Sequence, residues 1–137
     1  MADKIDKFDF QDYSLLSAHF DVNRNFKPGP DVQVNTSLSL THDYIDDQNS
    51  LRLFMKVDVS GESGPLNISV EMGSLFKFEK KPSTDKLAKI AEINCASILF
   101  PFVREVVADL TRRAGLHPFL IPPVNFVALH ENNHVGE

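Results

Sequence analysis

The first two-thirds of the chain alternate apolar and polar positions with a period of two. Leu16, Ala18, Phe20 and Val22 share one side of an extended segment. After the turn-forming stretch NRNFKPGPD, Val32, Val34, Thr36, Leu38 and Leu40 oppose Gln33, Asn35, Ser37 and Ser39. Leu51, Leu53, Met55, Val57 and Val59 oppose Arg52, Phe54, Lys56 and Asp58, and Leu66, Ile68, Val70 and Met72 oppose Asn67, Ser69 and Glu71. This alternation marks strands with one buried and one wet face. The connections, including the polar HDYIDDQNS and the turn GESGP, are rich in turn formers, which makes consecutive strands antiparallel neighbours. Gly73 allows a bulge or bend at the end of the fourth strand.

From Ser83 the period changes to that of a helix. Ser83 or Thr84 caps a short helix carrying Leu87, Ile90 and Ile93. A longer one runs from Ser97 to Arg113, with Pro101 in its first turn, where a missing N–H is harmless. Leu99, Val103, Val106, Val107 and Leu110 form its apolar stripe, and Gly115 ends it. LHPFLIPPVNF reads as an extended apolar crossover, followed by a last helix over residues 124–131. The expected fold is α+β: a four-stranded antiparallel sheet followed by two or three helices packed on one side. Residues 1–137 form a single domain in this reading, with 1–12 as a flexible arm or edge segment and 131–137 as a flexible tail.

One cluster exceeds what a small core needs. Phe100, Phe102, Phe119, Leu120, Ile121, Phe126, Val127 and Leu129 crowd two helices and a loop, and ILFPFVREVV is apolar nearly all round. A helix of that kind is buried on more than one side, which implies an oligomer interface, an exposed apolar groove, or both.

Composition narrows the function. With 137 residues, 42% hydrophobic and 24% charged, the chain fits one soluble domain. No apolar run approaches the ~20 residues that span a bilayer. The net charge of −5, without a basic stripe, argues against general nucleic-acid binding. Cys95 is the only cysteine, so no internal disulfide can form, and with no signal-peptide pattern this points to the cytoplasm.

The candidate chemistry is thin. HENNH, residues 130–134, matches the H-E-x-x-H pattern of zinc metalloproteases. That site needs a rigid helix and a third ligand, usually downstream. Here Asn132, Asn133 and Gly136 make a poor helix, and only Val135, Gly136 and Glu137 follow in this sequence. A polar tail is the expected role, with no metal and no cofactor. His19, His42 and His117 are read as surface or locally hydrogen-bonded groups, and Cys95 as a buried small hydrophobe. Arg104 and Glu105 read as anchors at a subunit contact. No set of titratable groups suggests an enzyme.

The last third also carries a resemblance. ILFPFVREVVADLTRRAGLHPFLIPPVNFVAL, residues 98–129, resembles the C-terminal half of the SecB protein-export chaperone family. That family's helix typically reads I-L-F-P-Y-A-R-E, followed by about eight helical residues and a Gly, a Phe-Pro crossover and P-V-N-F-x-A-L. Ile98, Leu99, Phe100, Pro101, Arg104, Glu105, Gly115, Pro123, Val124, Asn125, Phe126, Ala128 and Leu129 match in order, with Phe102 at the usual Tyr position. MGSLFKFE after the fourth strand resembles the family's G-G-I-F segment.

The resemblance implies a cytosolic homotetramer, a dimer of dimers, that holds unfolded polypeptides in apolar grooves without ATP and passes precursors to the SecA motor. Carried onto this sequence, it assigns a client groove to Val34, Leu38, Leu40, Phe100, Phe119, Leu120, Phe126 and Leu129. An oligomer interface falls to Phe102, Val103, Arg104 and Val107, and SecA contact to Asp21 and Glu71. Ser17, Asn67 and Ser69 stand where acidic or apolar SecA contacts are expected, and HENNHVGE lacks the longer apolar-then-acidic ending. Some SecB-like chaperones instead bind the antitoxin of a toxin–antitoxin system, and that role is the alternative.

Overall fold

A computed structural model describes residues 7–27, 34–61 and 64–133. Four antiparallel strands form one sheet: β1 (Phe8–Val22), β2 (Asn35–Ile45), β3 (Ser50–Ser60) and β4 (Leu66–Phe78), in the order β1-β4-β3-β2. The α+β architecture is as expected, but one neighbour relation differs. β1 pairs with β4, not β2. The β1–β2 connection therefore crosses from one edge of the sheet to the other, while β2, β3 and β4 follow as hairpins, a Greek-key arrangement. Turn-forming residues between two strands signal a reversal of direction without specifying which neighbour the chain meets next.

The central strands keep strict alternation. Leu51, Leu53, Met55, Val57 and Val59 of β3 are all buried, and so are Leu66, Ile68, Val70, Met72, Ser74, Phe76 and Phe78 of β4. β4 runs straight through Gly73 to Phe78, and the bulges lie in β1 instead. The register slips between Phe10 and Asp12 and again between Leu15 and Ser17. Each slip inserts one residue and reverses which parity faces the core. The inner face of β1 consequently reads Phe8, Phe10, Tyr13, Leu15, Ala18, Phe20 and Val22, opposite the even positions of β4. Leu16, expected to share a face with Ala18, is an inserted residue that lies against Gly73 on the other side. A Cβ on Gly73 would approach Leu16 Cδ1 to 3.0 Å and Phe54 Cδ1 to 3.3 Å, so any larger residue here would push these two side chains aside. Residues 8–12 belong to β1 at the edge of the sheet, and residues 1–6 lie outside the described residues.

The helical layer is one continuous rod rather than two helices. α1 (Thr84–Lys89) passes through a π-helical segment, Ile90–Cys95, into α2 (Ala96–Arg113), with right-handed helical dihedrals at both junctions. Pro101 thus sits inside a helix and not in a first turn. Ser97, whose carbonyl loses its helical donor to the proline ring, is exposed, so water can take that place. Leu99, Val103 and Val107 of α2 are completely buried against the inner face of the sheet. Each such side chain contributes roughly 1.5–3 kcal/mol by leaving water.

α2 ends as the sequence predicts. Gly115 adopts φ 80°, Leu116 N–H donates to Thr111 O (3.1 Å) and Gly115 N–H to Arg112 O (2.9 Å), a Schellman closure. α3 (Phe126–Asn133) starts two residues later than expected because Asn125 caps it, its Oδ1 accepting from Ala128 N–H at 3.1 Å. Residues 131–133, expected in a tail, belong to α3. Residues 134–137 lie outside the described residues.

Candidate functional site

Two apolar surfaces flank the core, one at each edge of the sheet. The first is bordered by β2, the crossover 116–125 and α3. Leu38, Leu40, His42 and Tyr44 project from the inner face of β2, opposite Val57, Met55, Leu53 and Leu51, and all four are half-buried. Val34 precedes the strand and is exposed. The crossover is pinned at Phe119, whose N–H donates to Thr111 Oγ1 at 2.8 Å, while that hydroxyl donates back to the helix at Ala108 O (2.9 Å). Thr111 is fully buried, so it spends its polar group on holding the loop. Past this pin Ile121 turns into the core, and Leu120 points out at 63% relative exposure.

The eight groove residues named from the sequence divide into floor and rim. Phe100 and Phe126 are 7% and 5% exposed and meet edge to face at 5.5 Å, so they are core that underlies the surface. Leu38, Leu40, Phe119 and Leu129 are half-buried against that core. Val34 and Leu120 are exposed, joined by Val127, which the site assignment had not included.

The second surface lies between β1 and α2. Tyr13 (45% exposed) and Leu15 (49%) project from the inner face of β1 but meet only partial cover. With Phe102, Val106 and Leu110 they line a groove of about 500 Å³, rimmed by Glu105, Asp109, Arg112 and Arg113. Phe102 stacks within 4.2 Å of Tyr13, with Phe10 at 5.7 Å. Asp109 takes hydrogen bonds from Arg113 (2.9 Å) and Arg112 (2.8 Å), which hold its carboxyl below the usual carboxylate range.

Of the four expected interface residues, only two are accessible. Val103 and Val107 are 0% exposed and face the protomer's own sheet; this corrects their assignment, since a side chain buried in its own core has no surface left for a second chain. Phe102 and Arg104 lie outside that stripe. Arg104 has its guanidinium 5.9 Å from the Phe100 ring centre, and its buried Nε makes no hydrogen bond among the described residues. Tyr13 and Leu15 were missed because the two bulges break the period of two at the very place where they lie.

The outer face of the sheet is polar and mixed in charge. Asp21 pairs in register with Asn67, and Glu71 lies between Ser17 and Lys56, so the two acids named from the sequence do share this face. Lys56 stands beside Glu71, and Arg52 chelates Asp43, whose carboxyl is held low chiefly by that hydrogen bond. Leu16, Phe54 and Leu75 form a shallow apolar pit around Gly73.

Titratable groups are sparse inside. Cys95 is fully buried, and desolvation pushes its thiol up to about 12, far from a reactive thiolate. No group of three or more metal-ligating side chains occurs among the described residues. Glu92 of the π-helical segment faces His42 (3.4 Å) and His130 (3.3 Å). His130 is the first histidine of HENNH, and it turns inward; His134 lies outside the described residues. No described helix is long and apolar enough to cross a membrane.

A family model described as preprotein translocase subunit SecB matches residues 5–136. The chain belongs to the SecB family. Protein-export protein SecB of Acidithiobacillus ferrooxidans is 35% identical over 105 residues, which cover 76% of this chain and 69% of that one. The Jannaschia sp. protein of the same name is 31% identical over 125 residues, 88% of this chain and 72% of its own. In fold, the chain is similar to the Mycobacterium tuberculosis SecB-like chaperone Rv1957, solved in complex with a ChAD peptide from the HigA1 antitoxin. The TM-score is 0.74 at 21% identity, over 85% of this chain and 90% of that one.

Proposed function

We propose that this protein is an ATP-independent holdase that keeps unfolded precursor polypeptides from aggregating, for export through SecA. The observation that carries the proposal is that apolar side chains stay exposed at Val34 ahead of β2, Leu120 in the crossover and Val127 on α3, while Phe100 and Phe126 pack edge to face in the core. Such a surface binds any segment rich in apolar residues, because burial at ~25 cal/mol per Å² does not depend on sequence. Floor and rim have different roles: Phe100 and Phe126 belong to the core, whereas Leu120 is held outward between the pinned Phe119 and the buried Ile121.

Assembly is part of the proposal. The uncovered strip Tyr13–Leu15 beside Phe102 favours contact with further copies, consistent with a homotetramer built as a dimer of dimers. The protein acts in the cytoplasm, unaided by cofactor. SecA meets the outer face near Asp21 and Glu71, where Lys56 beside Glu71 dilutes the acidity and weakens the coupling.

The second reading is a dedicated chaperone of an antitoxin, favoured by the likeness to the SecB-like chaperone solved in complex with an antitoxin peptide. The test is suppression of aggregation of a chemically denatured protein without nucleotide or metal, with the mass measured by light scattering after size exclusion. Suppression of unrelated clients together with SecA binding supports the export role. Selective retention of one antitoxin, with no effect on other denatured proteins, favours the dedicated role. A monomer that suppresses nothing contradicts both.

A further inference from the structure

Glu92 is placed to act on the client surface without being part of it. Its carboxylate presents Oε2 to His42 Nε2 at 3.4 Å and Oε1 to His130 Nδ1 at 3.3 Å. All three side chains are largely covered, at 12% exposure for Glu92, 23% for His42 and 17% for His130. The two histidines come from opposite walls: His42 lies on the inner face of β2 two residues beyond Leu40, and His130 follows Leu129 on α3. α3 packs through Phe126 against Phe100 and through Leu129 against the core, and His130 adds a polar contact to Glu92. The His130 contact lies next to Leu129 and ties that end of the helix to Glu92, and through it to His42 of β2.

The local backbone supports a purpose. Glu92 lies in the π-helical segment Ile90–Cys95, the one departure from α geometry in a rod running from Thr84 to Arg113. π turns are rare and occur disproportionately at functional sites, because the extra residue re-aims side chains relative to the flanking helix. Here Ala91 and Cys95 face the core while the neighbouring Glu92 faces β2 and α3 together.

We infer that Glu92 is a positioning residue for client binding: its carboxylate spans His42 and His130 and so fixes the spacing of the two walls, β2 and α3, that hold the unfolded chain. This rests on the holdase reading and deepens it. It also gives His130 of HENNH a role that needs no zinc.

The experiment compares wild type, Glu92→Ala, Glu92→Gln and His130→Ala. The probe is a reduced, carboxymethylated protein that cannot refold, and affinity, melting temperature and oligomer mass are read on each sample. Glu92→Ala and His130→Ala each weaken probe binding roughly tenfold, with the mass unchanged. Glu92→Gln, which still offers an acceptor and a donor at the same reach, restores most of the affinity. The inference is overturned if Glu92→Ala binds as tightly as wild type, or if Gln fails to rescue a variant that is fully folded. Should Glu92→Ala not fold, His130→Ala at wild-type affinity overturns it equally. A wild-type protein that does not bind the probe removes the holdase reading itself, a different outcome from a wild type that binds and a variant that binds as well.

Discussion

β1 and β2 are both edge strands of one sheet, yet the chain treats them differently. β1 is 15 residues long, bulges twice, and carries Tyr13 and Leu15 on an inner face that α2 covers only in part. β2 is 11 residues long, keeps register with β3 throughout, and its inner face is half-covered from Leu38 to Tyr44. Beside β1 stands α2, with the Phe102 ring 4.2 Å from that of Tyr13; beside β2 stands the short helix α3. An exposed edge is a liability unless something pairs with it or blunts it. A rigid surface of regular elements suits one fixed partner, such as a second copy. A surface whose apolar side chains stand out singly on a loop and a short helix suits many partners, because apolar burial does not depend on sequence. Similar apolar content thus supports two different kinds of recognition.

Substitutions at the two edges separate these roles. The largest effect is expected from Leu15→Asp, which puts a charge into the β1–α2 surface: the assembly falls to a smaller mass on light scattering while each chain keeps its far-ultraviolet circular dichroism. Next comes Phe126→Ala. Phe126 is core as well as groove floor, so its truncation lowers unfolding free energy by about 3–5 kcal/mol in a denaturant titration. Leu120→Ala, on the rim of the same groove, changes it by no more than about 0.5 kcal/mol while reducing client affinity. Thr111→Val releases Phe119 N–H from its partner and costs about 1–3 kcal/mol, with faster hydrogen exchange confined to the crossover.

The smallest effect lies on the outer face, away from both grooves. Asp43→Asn removes the exposed pair with Arg52 and costs no more than about 1 kcal/mol. The Asp43 carboxyl is held low in the folded protein, chiefly by the Arg52 hydrogen bond. Its contribution is therefore present above the ordinary carboxylate pKa and lost as pH falls through the depressed one. Wild type and Asp43→Asn should differ in stability at neutral pH and converge in acid.

Much of this contrast is legible in the sequence, though unevenly. Strands β3 and β4 are readable because their alternation is unbroken, and α2 because Leu99, Val103 and Val107 recur at helical spacing and Gly115 ends it. The path of β1 is not readable: two inserted residues, Gln11 and Leu16, each reverse the phase, so a strict period of two finds only its last third. The partner of β1 is equally hidden, since pairing with β4 depends on contacts far apart in sequence. Val103 and Val107 were drawn to an interface because an all-round apolar helix does not reveal which face its own sheet takes. The Glu92 bridge left no signal, because His42, Glu92 and His130 are separated by dozens of residues and only the fold joins them.

Hydrogen–deuterium exchange with and without a saturating unfolded client tests most directly the claim that the two surfaces have separate roles. The account predicts new protection in β2, in the crossover from Leu116 to Asn125 and in α3, with β1 and the Phe102 turn of α2 unchanged. Protection concentrated on β1 and α2, with the crossover and α3 exchanging as before, would contradict it.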